Sequence, residues 1–290
     1  MKLARFTVDG STAIGVVRGD RVVELASVLP EAPSTIREVL KAGPALLRRI
    51  EGALHLAPFG HALVAVRLEA PIHDASKYLA IGMNYQDHAE EARRAGVPIP
   101  KTQLWFNKQV SCINGPFDAV LIARVSDKVD YEIELGVVIG KRCRYVAEND
   151  ARSVVGGYFV VNDVTARDWQ QASPTFTLGK SFDTHGPIGP WIVTPDEIAD
   201  PHELEMRLFV NGQIRQRQNT GNMIYNIWQQ IHHLSQVMTL EPGDLIATGT
   251  CAGVGIASGF FLKHGDVVRA EIDQLGHIEN RFVSEAASSP

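Results

Sequence analysis

Two short stretches of this sequence put residues that do chemistry close together. The first is Asp130-Tyr131-Glu132-Ile133-Glu134-Leu135-Gly136-Val137-Val138-Ile139. Its alternation reads as a β-strand over 130–139, where successive side chains point to opposite faces. Glu132 and Glu134 therefore share one side, about 7 Å apart at their Cα atoms. Ile133, Leu135 and Val137 point the other way, into a core. Two adjacent carboxylates disfavour each other's ionisation unless a cation sits between them. A third, Asp163, ends the apolar run Tyr158-Phe159-Val160-Val161-Asn162. Three carboxylates without His or Cys make a hard-oxygen set, suited to Mg²⁺ or Mn²⁺, with Ca²⁺ also admitted, rather than to zinc. Such a set leaves coordination positions for water and a chelating substrate. The competing reading makes Glu132 and Glu134 the solvated face of an edge strand, since alternation is common in one-sided sheets.

The second stretch holds His88 and Glu91, three apart on a short helix read over 87–95, with Asp87 as N-cap, Glu90 at the third helical position and Gly96 past the end. Residues three apart share a helix face, and an imidazole held by a carboxylate is a competent base for water. An isolated His-x-x-Glu can equally be a surface ion pair. Here the strand Tyr78–Gly82 delivers the helix through Met83-Asn84-Tyr85, the arrangement of a hinged lid. Lys108, Arg167 and Lys180 could supply positive charge to a carboxylate or enolate. Arg167 stays near Asp163 because only three residues separate them, and Lys180 lies in a Gly-containing turn. Each lysine taken alone reads as a surface charge, and the pair His232-His233 reads as structural.

The rest of the chain supplies the elements that hold these groups. Residues 1–25 read as a small β-meander with turns at Asp9-Gly10 and Arg18-Gly19-Asp20, the latter a tight turn rather than an adhesion motif. A helical stretch presents Ile36, Val39 and Leu40 on one face until Gly43-Pro44 interrupts it. From Ala57 to Ile72 there is no helical period, and a boundary near residue 70 divides a small N-terminal α/β domain, 1–70, from a catalytic domain, 71–285. Strands are expected at 78–82, 130–139, 157–162, 190–194, 205–211, 244–248 and 267–273. A second helix is expected over 222–237, burying Ile224, Ile227, Trp228, Ile231 and Leu234. The polar end Ala286–Pro290 reads as frayed.

Composition excludes several classes. The chain has 290 residues, 45% hydrophobic and 21% charged, with a net charge of −5 that gives no reason to bind nucleic acid or an anionic membrane. The N-terminus lacks a signal-peptide apolar run, and nothing approaches the ~20 apolar residues of a membrane span. Cys112, Cys143 and Cys251 lie far apart and suit a reducing compartment, so a cytoplasmic protein is expected. Gly179-Lys180-Ser181 is not a phosphate-binding loop, because Pro174 stands where the earlier Gly is needed. Gly249, Gly253 and Gly255 do not complete a dinucleotide motif, the last position being Ser258.

Taken together, these segments resemble the fumarylacetoacetate hydrolase family. The resemblance rests on Ile81-Gly82-Met83-Asn84-Tyr85 with His88 and Glu91, Phe106-Asn107-Lys108, Tyr131-Glu132-Ile133-Glu134-Leu135, Asn162-Asp163-Val164-Thr165-Ala166-Arg167-Asp168, Gly179-Lys180-Ser181-Phe182-Asp183, and Leu240-Glu241-Pro242-Gly243-Asp244 with Thr248-Gly249-Thr250 and Gly253-Val254-Gly255. These cover residues 78–283. The resemblance implies an α+β, β-rich fold: a mixed β-roll catalytic domain behind a small N-terminal domain, usually as a homodimer. It implies Glu132, Glu134 and Asp163 as metal ligands, His88 and Glu91 as a water-activating pair on a lid, and Lys180 as the electrophilic partner of a substrate oxygen. Lys108, Arg167, Gln170 and Thr250 become substrate or supporting contacts. Cys251-Ala252 depart from the family's usual loop after Thr250, leaving the shape of that loop open. Family members hydrolyse, decarboxylate or isomerise oxo acids. The expected reaction is hydrolytic cleavage of a 2,4-dioxo acid. Oxaloacetate-type decarboxylation and isomerisation are the alternatives, and a noncatalytic oxo-acid binder is disfavoured by the basic pair.

Overall fold

The computed structural model describes residues 1–55 and 60–286. Ala57, where the aperiodic stretch begins, and the tail 287–290 lie outside these residues.

The large sheet runs in the order His61–Ala62, Arg21–Glu24, Ser11–Arg18, Lys2–Val8, Gly186–Val193, Val155–Asn162, Ile133–Ile139, Leu245–Thr250, Tyr78–Gly82, Leu104–Lys108. Along this path every pairing is antiparallel except that of Leu245–Thr250 with Tyr78–Gly82. A second sheet has the order Gln213–Asn219, Glu205–Val210, Val267–Ile272, Gly276–Ser284, Val120–Ile122. The result is the expected strand-rich α+β architecture with mixed sheets.

Strand alternation divides the core in two. From Ile133–Ile139 the side chains of Ile133, Leu135, Val137 and Ile139 join Met206, Leu208, Val268 and Ala270 of the second sheet in one cluster. Val138, with Phe159 and Val161 of the neighbouring strand, faces the opposite cluster. There it meets Ile36, Val39, Leu40 and Ile50 of the helices Ile36–Ala42 and Pro44–Leu54. The first 70 residues thus add strands to one end of the large sheet and lay two helices on its face. They share both sheet and core with the rest, so the division near residue 70 runs through continuous packing.

On the helix-facing side of Ile133–Ile139, the residues in order are Val138, Gly136 and Glu134. A side chain at 136 would meet the Phe159 ring at 2.4 Å, so glycine lets that ring cover the strand. Beyond Phe159 the apolar cover ends and the carboxylates begin. The strand lies between Val155–Asn162 and Leu245–Thr250, which rules out the edge-strand reading; Glu132 is 4% and Glu134 1% exposed.

Several local expectations need correction. The strand expected over 130–139 is interrupted at Tyr131-Glu132, where the chain passes from the short bridge Val129–Asp130 to Ile133–Ile139. The lid helix spans Gln86–Arg94 with Tyr85 at its N-cap, and Asp87 sits inside the first turn, where the helix dipole favours a carboxylate. The second helix begins only at Ile227, because the Asn226 side chain and Gln229 form a capping box there. Ile224, ahead of that cap, is 37% exposed rather than buried. Among the described residues no helix is long and apolar enough to cross a membrane.

Candidate active site

Glu132, Glu134 and Asp163 come together in one cluster. One ligand oxygen from each lies within 4.8 Å of the others, and all three side chains are buried. The break in the strand makes this possible. The Asn162 Oδ1 accepts the Glu132 N–H at 2.9 Å, and the Asp163 N–H donates to the Glu132 carbonyl at 2.8 Å. Gln216, reaching from the second sheet, accepts the Ile133 N–H at 3.0 Å. Its amide also donates to Thr250 Oγ1 at 2.9 Å and to the Cys251 carbonyl at 2.8 Å. Glu134 Oε2 accepts the Gly249 N–H at 2.7 Å. Gly249 has φ +101°, and a Cβ there would stand 2.6 Å from the Asn84 Cβ, so this close approach requires glycine.

The two lysines are buried, not surface charges: their aliphatic stems run through the core and their ammonium groups neutralise carboxylates. Lys180 Nζ lies 2.5 Å from Glu132 Oε2 and 2.6 Å from Asp163 Oδ2. Lys108 Nζ donates to Asp163 Oδ1 at 2.6 Å and to the Lys180 carbonyl. It does not line the cavity described below, so it holds Asp163 from behind rather than meeting a substrate. Arg167 does line the cavity. Its Nε donates to Asp130 Oδ2 at 2.8 Å, its Nη2 stands 2.6 Å from Glu132 Oε1, and its Nη1 donates to Gln170 Oε1 at 3.0 Å.

Four buried carboxylates thus meet three cations. Burial opposes the charge of Glu132, but Arg167 and then Lys180 outweigh it and bring its pKa down to about 2. Among the described residues, Glu134 has no cation in direct contact. Burial first, then the charges of Asp163 and Glu132, push its pKa well above the usual carboxylate range. A divalent cation among the three oxygens would relieve that imbalance, and the all-oxygen donor set fits a hard ion.

Above the carboxylates, the Gln86–Arg94 helix roofs a cavity of about 360 Å³. His88 Nδ1 and Glu91 Oε2 lie 3.1 Å apart, and both side chains face the cavity with Glu132, Glu134, Arg167, Gln170, Lys180 and Thr250. Glu91 Oε1 also accepts the Gly253 N–H at 3.2 Å, tying the roof to the loop after Thr250. Asp87 Oδ2 accepts from Gln218 Nε2 at 2.7 Å. At the strand-to-helix joint Met83 has φ +53°, a left-handed turn that costs roughly 1–2 kcal/mol for a non-glycine residue. Asn84 holds the turn, donating to the carbonyls of Thr248 and Tyr225 and accepting the Tyr225 N–H. Cys251 is buried, and its carbonyl rests on Gln216, so the departure at Cys251-Ala252 is absorbed into the packing.

Sequence reasoning missed Asp130. Its carboxylate accepts the N–H groups of Tyr131, Gly255 and Ile256 as well as Arg167 Nε, clamping the cavity wall at 254–257 to the arginine. The signal was present: Asp130, Glu132 and Glu134 form an unbroken period of two.

The model of the fumarylacetoacetate (FAA) hydrolase C-terminal domain matches residues 77–283. A mitochondrial oxaloacetate tautomerase of Bos taurus is 42% identical over 269 residues, 91% of this chain and 85% of its own length. A 2,4-didehydro-3-deoxy-L-rhamnonate hydrolase of a Sphingomonas species is 41% identical over 291 residues, covering 98% and 96%. The crystal structure of a maleylpyruvate hydrolase from a Sphingobium species, in complex with manganese(II) ion and pyruvate, superposes with a TM-score of 0.84 at 34% identity, over 99% of this chain and 100% of that one. On the extent of these matches, the chain belongs to the fumarylacetoacetate hydrolase family.

Proposed function

We propose that the chain is a metal-dependent hydrolase that cleaves a carbon–carbon bond of a 2,4-dioxo acid, releasing pyruvate and a carboxylic acid. The observation that carries this reading is the His88–Glu91 pair sharing one cavity with Glu132 and Glu134 of a buried all-carboxylate triad. Glu132, Glu134 and Asp163 would hold Mg²⁺ or Mn²⁺, with Ca²⁺ admitted by the same oxygens. The bound ion supplies a Lewis acid for the carboxylate and adjacent keto oxygen of the substrate.

The chain's own residues do the proton and charge work. Glu91 takes the Nδ1 side of His88, which leaves Nε2 for a proton from water. The water oxygen adds to the distal carbonyl, and the bond between C3 and C4 breaks with its electron pair left on the pyruvate half. The proton held by His88 then returns to C3. Arg167 and Lys180 provide fixed positive charge on the cavity floor, where the enolate oxygen would develop. Lys108 keeps Asp163 in place, and Gln170 holds the outer side of Arg167.

A second reading is proton transfer without hydrolysis, favoured by the 42% identity to an oxaloacetate tautomerase. The same base would serve it, as it would an oxaloacetate-type decarboxylation. Turnover of a panel of acylpyruvates and oxaloacetate in H₂¹⁸O separates the three. Hydrolysis puts the heavy oxygen into the acid from the acyl half. Carbon dioxide as main product, or an unlabelled product of unchanged mass, would refute the hydrolase reading.

A further inference from the structure

The cavity is polar at its floor and at the His88–Glu91 pair of its roof. Glu132, Glu134, Arg167 and Lys180 form its floor, bordered by Gln170 and Thr250. Most of the remaining lining is apolar. Phe106 and Phe176 meet edge to face, 5.9 Å between centroids at 68°. Met83, Val254 and Ile256 continue the lining, and Val97 contributes from the segment after the roof helix. Val97 is 40% exposed, an apolar side chain open toward solvent where a polar one would cost nothing to hydrate.

The available charges are already committed. Among the described residues the cavity lining has no Arg or Lys besides Arg167 and Lys180. Arg167 is held by Asp130 and Glu132, and Lys180 by Glu132 and Asp163. The roof's own arginines, Arg93 and Arg94, pair with Glu90, are 60% and 74% exposed at the side chain, and do not line the cavity. A carboxylate on the far end of a ligand would therefore find no uncommitted Arg or Lys among the described lining residues, and against the apolar wall it would lose water, an unfavourable transfer. A polyhydroxylated chain could reach His88, Glu91 and Gln171 as well as the floor's own polar groups. An alkyl or aryl group would gain with each apolar carbon it buries.

We infer that the oxo acid taken by this cavity carries a single carboxylate, at the floor, and an apolar alkyl or aryl group at its other end. This rests on the 2-oxo-acid reading above and selects within it against dicarboxylic substrates.

Binding tests the inference without turnover. Protein loaded with Mn²⁺ is titrated calorimetrically with straight-chain 2-oxo monoacids from pyruvate to 2-oxooctanoate, and with the diacids 2-oxoglutarate and 2-oxoadipate. Kd should fall about fourfold for each added methylene, the equivalent of ~0.8 kcal/mol, until the chain outgrows the cavity. The diacid 2-oxoadipate should bind at least tenfold more weakly than 2-oxohexanoate. Val97→Lys, which puts a cation at the apolar end, should shift that ratio at least tenfold toward the diacid. A flat chain-length series, or a diacid that binds wild-type protein as tightly as its monoacid counterpart, overturns the inference and leaves hydrolysis standing. Binding in the expected order without cleavage of any 2,4-dioxo acid refutes the hydrolase reading and leaves the inference standing. If neither series binds at millimolar concentration, both fall.

Discussion

Replacing Asp130 with Asn tests whether one carboxylate holds the arginine and the cavity wall together. The change is nearly isosteric, so packing is preserved while charge and acceptor capacity are lost. In the native protein both Asp130 oxygens are saturated: Oδ1 accepts from the Tyr131 and Gly255 amides at 2.8 and 2.7 Å, and Oδ2 from Ile256 and Arg167 Nε at 2.9 and 2.8 Å. An amide NH₂ must replace one of these oxygens, turning two acceptor contacts into donor-against-donor contacts. Arg167 also keeps its charge at 5% side-chain exposure, with Glu132 its one remaining ion-pair partner among the described residues. Removing one partner of a buried ion pair costs roughly 3–5 kcal/mol, and Asp130→Asn should lose about that much in urea unfolding at neutral pH. Arg167→Met should recover part of the loss in the double variant, with a coupling of about 1–3 kcal/mol. A single variant within about 1 kcal/mol of wild type, or a coupling under about 0.5 kcal/mol, would refute the clamp.

Three further outcomes follow from the site and its surroundings. Glu132→Ala or Asp163→Ala should abolish metal-dependent turnover while circular dichroism stays native, and full wild-type activity in a strong chelator would overturn the triad assignment. His88→Ala should lower the hydrolytic rate by roughly 10²–10⁴ with Mn²⁺ affinity little changed; loss of metal binding with an intact rate at saturating metal would mean the roles are reversed. His185 is fully buried, with Nε2 2.9 Å from the Leu121 carbonyl, and burial pulls its pKa down to about 3. Below its ordinary value near 6.5 the unfolded chain takes up a proton that the fold refuses. Stability should therefore fall as pH drops from about 6.5 toward 3, by about 1.4 kcal/mol per unit. His185→Gln keeps a donor for Leu121 and should remove that part of the slope, as read from urea unfolding across the range.

How much was legible in advance depended on whether a signal was local. Tyr78–Gly82 was read at its observed bounds because a five-residue apolar run between a lysine and a turn is visible in one window. Strand parity anticipates that Glu132 and Glu134 share a side, but not the break at Tyr131-Glu132 that sets Glu132 against Asn162. Lys108 and Lys180 taken alone read as surface charges and join the site only through the family resemblance, because their burial depends on carboxylates 55 and 17 residues away. Gln213–Asn219 was missed as a strand: among Gln, Arg and Asn its only apolar residue is Ile214. Yet it follows Asn211-Gly212, whose positive φ angles of 51° and 78° make the hairpin turn that Asn-Gly pairs favour. Gln216, the one fully buried residue of that strand, serves the site from there.

The hydrogen bond from Gly253 to Glu91 makes enclosure and reactivity interdependent. The carboxylate that orients His88 is fixed in turn by a backbone amide on the opposite wall of the cavity. A roof swung away from that wall gives up the amide and, with it, the fixed bearing of Glu91 on the imidazole. The base is then fully aligned only while the chamber is shut. A reactive enolate would be generated with bulk solvent already shut out, and an open molecule would hold a weaker base over an unfilled floor. For a roof that moves, the bond would act as an interlock between closing and chemistry.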